Sequence, residues 1–266
     1  MWYKGVLRFS KGFGKFAQYI KLYRITHGGR AFPPRKQCMI EVKNLCKSYR
    51  EKVVLKNVNC SFEKGSVYSV IAPNGTGKTT FISILSGLLA PTGGELSFSG
   101  DNSIKDTYIV LSGEKNLYAK NKVKENAEYI GRISGKTTKQ IKEQTDFLRN
   151  RFPVYNDVFD SLVEKLSYGQ KRLVALLNSV IADASCIIID EVSEGLDMAN
   201  IALLTDMIEY LKKDRIIILA SHDYEFVANV SDYNWFLKDG CFQKMYERLS
   251  KEQIVSIYKE LYNVED

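Results

Sequence analysis

The sequence predicts an α/β domain. From Met39 onward, short runs of β-branched residues alternate with turn residues and helical stretches, which is the pattern of helices packed around a central sheet. One apolar strand, 66–71, runs directly into a glycine-rich loop and the start of a helix. A second apolar strand, 186–189, is followed by two carboxylates. The 266 residues are enough for one large core, or for a core with a satellite lobe.

The composition predicts a globular cytosolic protein. Hydrophobic residues at 45% and charged residues at 26% exclude bulk disorder. No apolar run approaches the ~20 residues of a membrane-spanning helix, and the basic N-terminus lacks the apolar block of a secretory signal. The five cysteines lack the close pairing of zinc or redox sites, which indicates reduced thiols. They are Cys38, Cys46, Cys60, Cys186 and Cys241.

Residues 1–37 form a basic arm. The arm has nine basic residues and no acidic residue, so that the remaining chain, by difference from the total of +7, carries −2. At about 100° per residue, its large apolar side chains fall on one line and most of its lysines point elsewhere, which favours a helix at a membrane surface. A helix packed on the protein itself, or a frayed arm, is the alternative. The apolar line consists of Trp2, Phe9, Phe13, Phe16, Ile20 and Tyr23.

The glycine-rich loop occupies 72–80. Backbone N–H groups of such a loop and the positive end of the following helix together form an anion site that wraps a phosphate. We expect Lys78 to reach the β- and γ-phosphates and the Thr79 hydroxyl to bind Mg²⁺. Ala72 stands where the strict pattern has glycine, and we expect so small a residue to leave the loop intact. The predicted nucleotide contacts are Pro73, Asn74, Gly75, Thr76, Gly77, Lys78, Thr79 and Thr80.

The second apolar strand leads into Asp190 and Glu191. Because successive side chains of a strand point to opposite faces, the two acids can take different tasks at its end. We expect Asp190 to hold Mg²⁺, directly or through water, and Glu191 to polarise the attacking water.

Between these two features the chain reads Leu-Ser-Tyr-Gly-Gln at 166–170, followed by an apolar helical stretch. Here the sequence resembles the ABC (ATP-binding cassette) ATPase family, and Ser167, Gly169 and Gln170 match its signature segment. Tyr168 replaces the usual glycine. In that family the signature contacts ATP held by the opposite subunit. The resemblance therefore implies a head-to-tail dimer around two ATP molecules, either a homodimer or a heterodimer with a second cassette.

The resemblance extends from residue 39 to about 245, with six motifs in family order. Tyr49 matches the aromatic residue that stacks on adenine, 194–197 matches the loop that couples the two sites, and His222 matches the histidine that contacts the γ-phosphate. The resemblance implies a P-loop NTPase core with an antiparallel β subdomain and a small helical subdomain. It also implies three candidate catalytic residues, which are Lys78, Glu191 and His222.

These observations give the expected domain boundaries. The arm occupies 1–37, the ABC ATPase domain 38–249 and a C-terminal helix 250–266. The helical subdomain is expected at about 114–180.

The family pattern is broken after the strand at 108–111. The family places a glutamine there, but this chain has Gly113 followed by Glu114. Glu114 is a candidate substitute for the glutamine, and a solvent-facing acid is the alternative. Val192 replaces the usual proline after Glu191. The stretch 111–129 nonetheless resembles ABC subunits, many of them exporters, that pair with a separately encoded permease.

The sequence therefore predicts the ATP-hydrolysing subunit of a transporter, peripheral on the inner face of the cell membrane. Its partners would be ATP, Mg²⁺, a second cassette and a permease, with 1–37 able to meet the membrane surface. Lys78 and Ser167 are 89 positions apart, which leaves no room for the long coiled coil of DNA-clamping relatives, and nucleic acid is not favoured as a partner. The alternative is a non-transport ABC ATPase that acts as an ATP-dependent switch on a protein or nucleic acid.

Overall fold

The computed structural model describes residues 39–99, 104–111 and 116–264, which all lie in one unit of the chain, 35–266. The expectations for the arm at 1–37, and for Gly113 and Glu114, fall outside the described residues.

The described elements alternate along the chain as the sequence predicts. The strands are β1 (Met39–Tyr49), β2 (Lys52–Glu63), β3 (Val67–Ile71), β4 (Gly93–Phe98), β5 (Thr107–Val110), β6 (Cys186–Asp190), β7 (Ile216–Ala220), β8 (Tyr233–Lys238), β9 (Cys241–Phe242) and β10 (Tyr246–Glu247). The α-helices are α1 (Lys78–Leu85), α2 (Val123–Ile133), α3 (Thr138–Arg151), α4 (Pro153–Val158), α5 (Tyr168–Ile181), α6 (Met198–Leu211), α7 (Tyr224–Val230) and α8 (Lys251–Tyr262).

The central sheet has the order β10-β8-β3-β7-β6-β5, with β9 paired to β8. Strands β8, β3, β7, β6 and β5 are parallel, whereas β9 and β10 run antiparallel to β8. Every residue of β3 and β7 is buried, because a parallel sheet covered on both faces requires continuous apolar runs. The carboxyl ends of β3, β7 and β6 meet at one edge, so the loops that follow these strands lie side by side.

A second sheet, with the order β2-β1-β4, is antiparallel throughout. The buried residues of β2 alternate with exposed ones from Val58 to Phe62, as expected for a strand with one face on the core. One hydrophobic cluster contains residues of both sheets and of α1. Within it, the Phe81 ring of α1 lies 6.3 Å from the Phe62 ring and 4.8 Å from the Phe242 ring. The helix that follows the glycine-rich loop is therefore fixed between the two sheets, and the predicted α/β fold with an antiparallel β subdomain is confirmed.

Helix α1 is short and ends at Leu85, although the apolar sequence continues to Leu89. Gly87 adopts a φ of +74°, and its N–H bonds the Ile84 carbonyl at 3.0 Å. A glycine in this left-handed conformation terminates a helix at low energetic cost, which explains the early end.

Helices α2 to α5 form a helical region between β5 and β6. Thr137 caps α3 through Gln140, and Ser167 caps α5 through Gln170, in each case with a reciprocal pair of side-chain bonds that satisfies free backbone N–H groups. Helix α5 is buried along most of its length and packs against α2, α3, α4 and α6. Within the described segments, no helix combines the length and the apolar character needed to cross a membrane.

Candidate functional site

The glycine-rich loop connects β3 to α1. Gly77 caps α1 with a φ of +114°, and Gly75 has a φ of +78°. A Cβ on Gly77 would lie 3.0 Å from a Val54 methyl group, whereas a Cβ on Gly75 would meet nothing within 4 Å. The Thr76 hydroxyl donates to the Pro73 carbonyl at 2.7 Å and closes the turn. The loop therefore packs tightly against β2 at one glycine and is open at the other.

Lys78 is buried at the first turn of α1. Its ammonium group donates to the carbonyl of Ala72, and to that of Pro73 at 3.2 Å. Burial lowers the pKa of Lys78, and the charges of Glu191 and Asp190 act in the opposite direction. The ammonium group thus bonds its own loop and lies close to two acids. Ala72 has no positive φ, so its backbone does not require the glycine of the strict pattern.

Glu191 lies just beyond the end of β6. The sequence analysis expected Asp190 and Glu191 to lie on one strand with their side chains on opposite faces. This expectation is wrong, because the strand ends at Asp190 and Glu191 has a left-handed backbone conformation, with a φ of +50°. Its N–H donates to the Ala220 carbonyl at 2.8 Å, and one carboxylate oxygen accepts the backbone N–H of His222 at 3.2 Å. Burial raises the pKa of Glu191, while the His222 N–H acts to lower it. A raised pKa makes this carboxylate a better proton acceptor.

The His222 ring joins the strand-end loops to the phosphate loop. Its Nε2 lies 2.8 Å from the Asn74 side-chain oxygen, 3.3 Å from a Glu191 carboxylate oxygen and 3.4 Å from the Lys78 ammonium. Burial lowers the pKa of His222, and the Lys78 charge lowers it further. The lowered pKa favours the neutral form of the ring. Four of the predicted site residues meet at this one nitrogen.

A pair of serines ties together the loops that carry Glu191 and His222. The Ser193 and Ser221 hydroxyls lie 3.1 Å apart, both residues are buried, and Ser221 Oγ accepts the N–H of Asp223 at 3.1 Å. No sequence motif marks this link. The adjacency of β6 and β7 could have indicated it, because both serines follow the carboxyl ends of neighbouring parallel strands.

The signature-like residues occupy the start of α5. Ser167 Oγ accepts the Gln170 N–H at 3.2 Å, and the Gln170 side chain accepts the Ser167 N–H at 3.0 Å. A Cβ on Gly169 would lie 2.6 Å from the Asn200 side chain, so this position packs tightly on α6. The structure places this segment against α6 and the loop that follows Glu191.

Tyr168, which replaces the family glycine, is held by a buried arginine. The Arg172 guanidinium lies 4.7 Å from the centre of the Tyr168 ring and donates to its hydroxyl. Arg172 also donates to the Leu111 carbonyl at 2.8 Å, beside the end of β5. Arg172 was not among the predicted site residues, because its neighbour Lys171 is also basic and the sequence does not show which of the two is buried.

Tyr49 is the last residue of β1 and is 48% exposed. The Lys47 ammonium lies 5.1 Å from the centre of its ring. Tyr49 pairs with Lys52 at the start of β2, and Val54, two residues further on, touches Gly77 of the phosphate loop. The hairpin thus presents an accessible aromatic ring close to the loop.

The possible metal ligands are sparse. Thr79 is exposed in the first turn of α1, and Asp190 ends β6 with a partly exposed side chain. In the part of the chain that the structure describes, no group of three or more histidine, cysteine or acidic side chains is arranged to hold a metal by itself. A metal here would need further ligands from a nucleotide or from water.

A family model described as ABC transporter matches residues 55–194, which is just over half of the chain. The chain belongs to the ABC transporter family. This ABC protein is 32% identical over 202 residues to an ABC transporter ATP-binding protein of Methanocaldococcus jannaschii, which covers 76% of this chain and 74% of the relative. It is 28% identical over 250 residues to the petrobactin import ATP-binding protein YclP of Bacillus subtilis, covering 85% and 93% of the two chains.

The fold of this ABC protein is similar to solved structures of ABC ATP-binding subunits. A solved structure titled as the ATP-binding subunit of an ABC transporter superposes with a TM-score of 0.74 at 22% identity, covering 84% of this chain and 99% of that one. The predicted family and the predicted P-loop ABC fold are confirmed. The protein is an ATP-binding ABC transporter subunit and an ATPase, and such subunits pair with a transmembrane permease component.

Proposed function

We propose that this ABC protein hydrolyses Mg-ATP within a closed dimer of cassettes and thereby drives a transmembrane permease. The observation that carries the proposal is the convergence of Asn74, Lys78 and Glu191 on the His222 ring nitrogen, all within 3.4 Å. Three separate loops, after β3, β6 and β7, supply these groups, and each group has a task in phosphoryl transfer.

The phosphate loop binds the triphosphate. Lys78 exchanges its bonds to the Ala72 and Pro73 carbonyls for the β- and γ-phosphate oxygens, which keeps the buried ammonium group paired. Backbone N–H groups of 73–77 and the start of α1, with Thr80 in its first turn, complete the cradle. Tyr49 stacks on the adenine.

The residues present fit Mg²⁺, which prefers one or two carboxylate or hydroxyl oxygens together with phosphate oxygens and water. Thr79 and Asp190 would supply such oxygens, in the first turn of α1 and at the end of β6 respectively. A Mg²⁺ ion held by these residues would neutralise charge on the phosphates.

Glu191 acts as the general base. Its carboxylate accepts a proton from the attacking water, the water oxygen forms a bond to the γ-phosphorus, and the bond from that phosphorus to the bridging oxygen of ADP breaks. The raised pKa of Glu191 favours this proton transfer. The neutral His222 ring hydrogen-bonds the γ-phosphate in place of Asn74 or Glu191.

The second cassette completes each site. Ser167, Gly169 and Gln170 lie at the amino end of α5, where backbone N–H groups favour an anion. In the proposed dimer they face the γ-phosphate of ATP bound to the other subunit. That subunit is a second copy of this chain or a different cassette.

The proposal also includes a permease partner and a direction of transport. The relatives include a petrobactin import protein, so the export assignment depends on the likeness of 111–129 to exporter subunits. We propose a peripheral position on the inner face of the cell membrane, with residues 1–37 touching the membrane surface or the permease. The charge of the body, −2, does not favour nucleic acid as the partner.

The test of the catalytic assignment is Glu191→Gln. The variant keeps a hydrogen-bonding side chain but cannot accept the proton, so we expect ATP turnover to fall by about 10²-fold or more and ATP to trap a dimer detectable by size-exclusion chromatography. Glu128→Gln is the matched control, because Glu128 is an exposed acid that pairs with Arg132 on its own helix. Equal turnover in Glu191→Gln and the unmodified protein would remove Glu191 from this role.

The test of the transport assignment is purification of the tagged full chain from membranes, with identification of what accompanies it. We expect an integral membrane protein. Recovery of nucleic acid without a membrane protein would overturn the transport assignment and favour the ATP-dependent switch.

A further inference from the structure

Helix α8 presents one stripe of large side chains to the rest of the protein. Ile254, Tyr258 and Tyr262 are spaced four residues apart, so they lie on one face of the helix. Ile254 is completely buried, and Tyr262 packs against the main hydrophobic cluster. Ser250 caps the helix through Gln253. The helix is therefore well formed and docked by this face.

The Tyr262 hydroxyl bonds the backbone where the phosphate loop begins. It donates to the Leu237 carbonyl of β8 at 2.9 Å and lies 3.3 Å from the Ile71 carbonyl of β3. Ile71 is the last residue of β3 and pairs with Phe236 of β8. Burial raises the pKa of Tyr262, which keeps its hydroxyl protonated and able to donate. Tyr262 thus holds two neighbouring strand ends at the entry to the phosphate loop.

Tyr258 connects Tyr262 to the loop that carries His222. Its ring centre lies 4.6 Å from that of Tyr262 and 5.4 Å from that of Tyr224. Tyr224 is the first residue of α7 and lies two positions after His222. Burial raises the pKa of Tyr224, and Tyr258 and the charge of Glu191 contribute to the rise.

An ion pair also joins the start of α8 to the start of α7. The Lys251 ammonium lies 3.1 Å from the carboxylate of Glu225, the residue after Tyr224, and both side chains are largely exposed. Such an exposed pair contributes little to stability by itself.

We propose that α8 is a positioning element of the ATPase site, in which Tyr262 fixes the start of the phosphate loop and Tyr258, through Tyr224, fixes the loop that carries His222. The inference rests on the proposed roles of these two loops. Tyr258 and Tyr262 act through other residues, so they are positioning residues. Because Tyr262 supports the nucleotide cradle and Tyr258 supports the catalytic loop, the two residues affect different kinetic constants.

The experiment compares Tyr262→Phe, which removes the hydroxyl bonded to the Leu237 carbonyl and keeps the ring, with Tyr258→Leu, which removes the ring between Tyr224 and Tyr262, both in the full chain. One lost hydrogen bond corresponds to about a 2- to 10-fold effect. We expect Tyr262→Phe to raise KM for ATP by this factor with kcat nearly unchanged. We expect Tyr258→Leu to lower kcat at least about 2-fold with KM nearly unchanged. Tyr246→Phe on β10 is the control and is expected to retain both constants.

A purely structural role for α8 would lower the melting temperature without separating KM from kcat. If both tyrosine variants keep the kinetic constants of the unmodified protein well below their melting temperatures, the inference is overturned. Lys78→Ala distinguishes failure of the proposed ATPase site from failure of the inference about α8. Unchanged ATP turnover in Lys78→Ala refutes the proposed site and the inference with it, whereas lost turnover together with unaltered tyrosine variants refutes the inference alone.

Discussion

Gly77 combines two constraints that can be separated by mutation. Its φ of +114° disfavours any residue with a Cβ, and the space for a Cβ is taken by Val54. Gly65, between β2 and β3, has a similar φ of +96° with nothing within 4 Å of its Cβ position. Gly65→Ala therefore reports the backbone penalty alone, and Gly77→Ala reports the same penalty plus the contact with β2.

The expected magnitudes follow from these geometries. An alanine at positive φ costs about 1–2 kcal/mol, and the stiffer unfolded chain offsets about 0.4–1 kcal/mol, so Gly65→Ala is expected to lose about 1 kcal/mol of unfolding free energy. The contact at 3.0 Å with the Val54 methyl group, and at 3.3 Å with its carbonyl oxygen, adds overpacking to Gly77→Ala. Overpacking costs about 1–3 kcal/mol, so the total for Gly77→Ala is about 2–4 kcal/mol.

Urea denaturation of the two variants measures the difference, and titration with a fluorescent ATP analogue measures the functional consequence. We expect Gly77→Ala to weaken nucleotide binding, because relief of the clash displaces the phosphate loop, and Gly65→Ala to leave binding unchanged. Equal losses of unfolding free energy, within about 0.5 kcal/mol, would refute the argument that Val54 limits the space at Gly77.

Two further predictions concern His222 and Arg172. The chain has two histidines, so His27→Gln leaves His222 as the only histidine for NMR titration. We expect the pKa of His222 to lie below the ordinary value, and we expect Lys78→Met to raise it. An unshifted pKa of His222 would contradict the described contacts. The folded ring binds its proton less tightly than the unfolded ring. The free energy of unfolding therefore decreases as the pH falls below the ordinary pKa of histidine. Arg172→Met removes the donor to the Leu111 carbonyl and is expected to lower the unfolding free energy by about 1–3 kcal/mol in urea denaturation, and a loss below about 0.5 kcal/mol would show that the carbonyl finds another partner.

The sequence predicted the parts of the fold that depend on local pattern. The residues VYSVI, CIIID and IIILA are continuous apolar runs, and all three are strands of the parallel sheet. The phosphate loop was identifiable because its glycines stand between such a strand and a helix. Lys78, Glu191 and His222 were found by motif, and the parallel order of β3, β7 and β6 explains why residues so far apart in sequence meet.

The parts that the sequence did not predict depend on distant contacts or on single backbone angles. Tyr262 and Ile71 are 191 residues apart, and the spacing of α8 indicates a buried face without indicating its partner. Arg172 and Leu111 are 61 residues apart. The early end of α1 depends on the φ of Gly87, and the position of Glu191 depends on a left-handed turn that a motif cannot reveal.

The left-handed conformation of Glu191 sets stability against the proposed role of this residue as a general base. A residue with a Cβ is less stable there than glycine by roughly 1–2 kcal/mol, while asparagine tolerates the conformation better than most side chains. A cassette that no longer needed to cleave ATP would therefore gain folding free energy by replacing this acid. Descendants of such a protein that lost turnover would drift toward glycine or asparagine here, and retention of glutamate in a lineage would mark continued selection for hydrolysis.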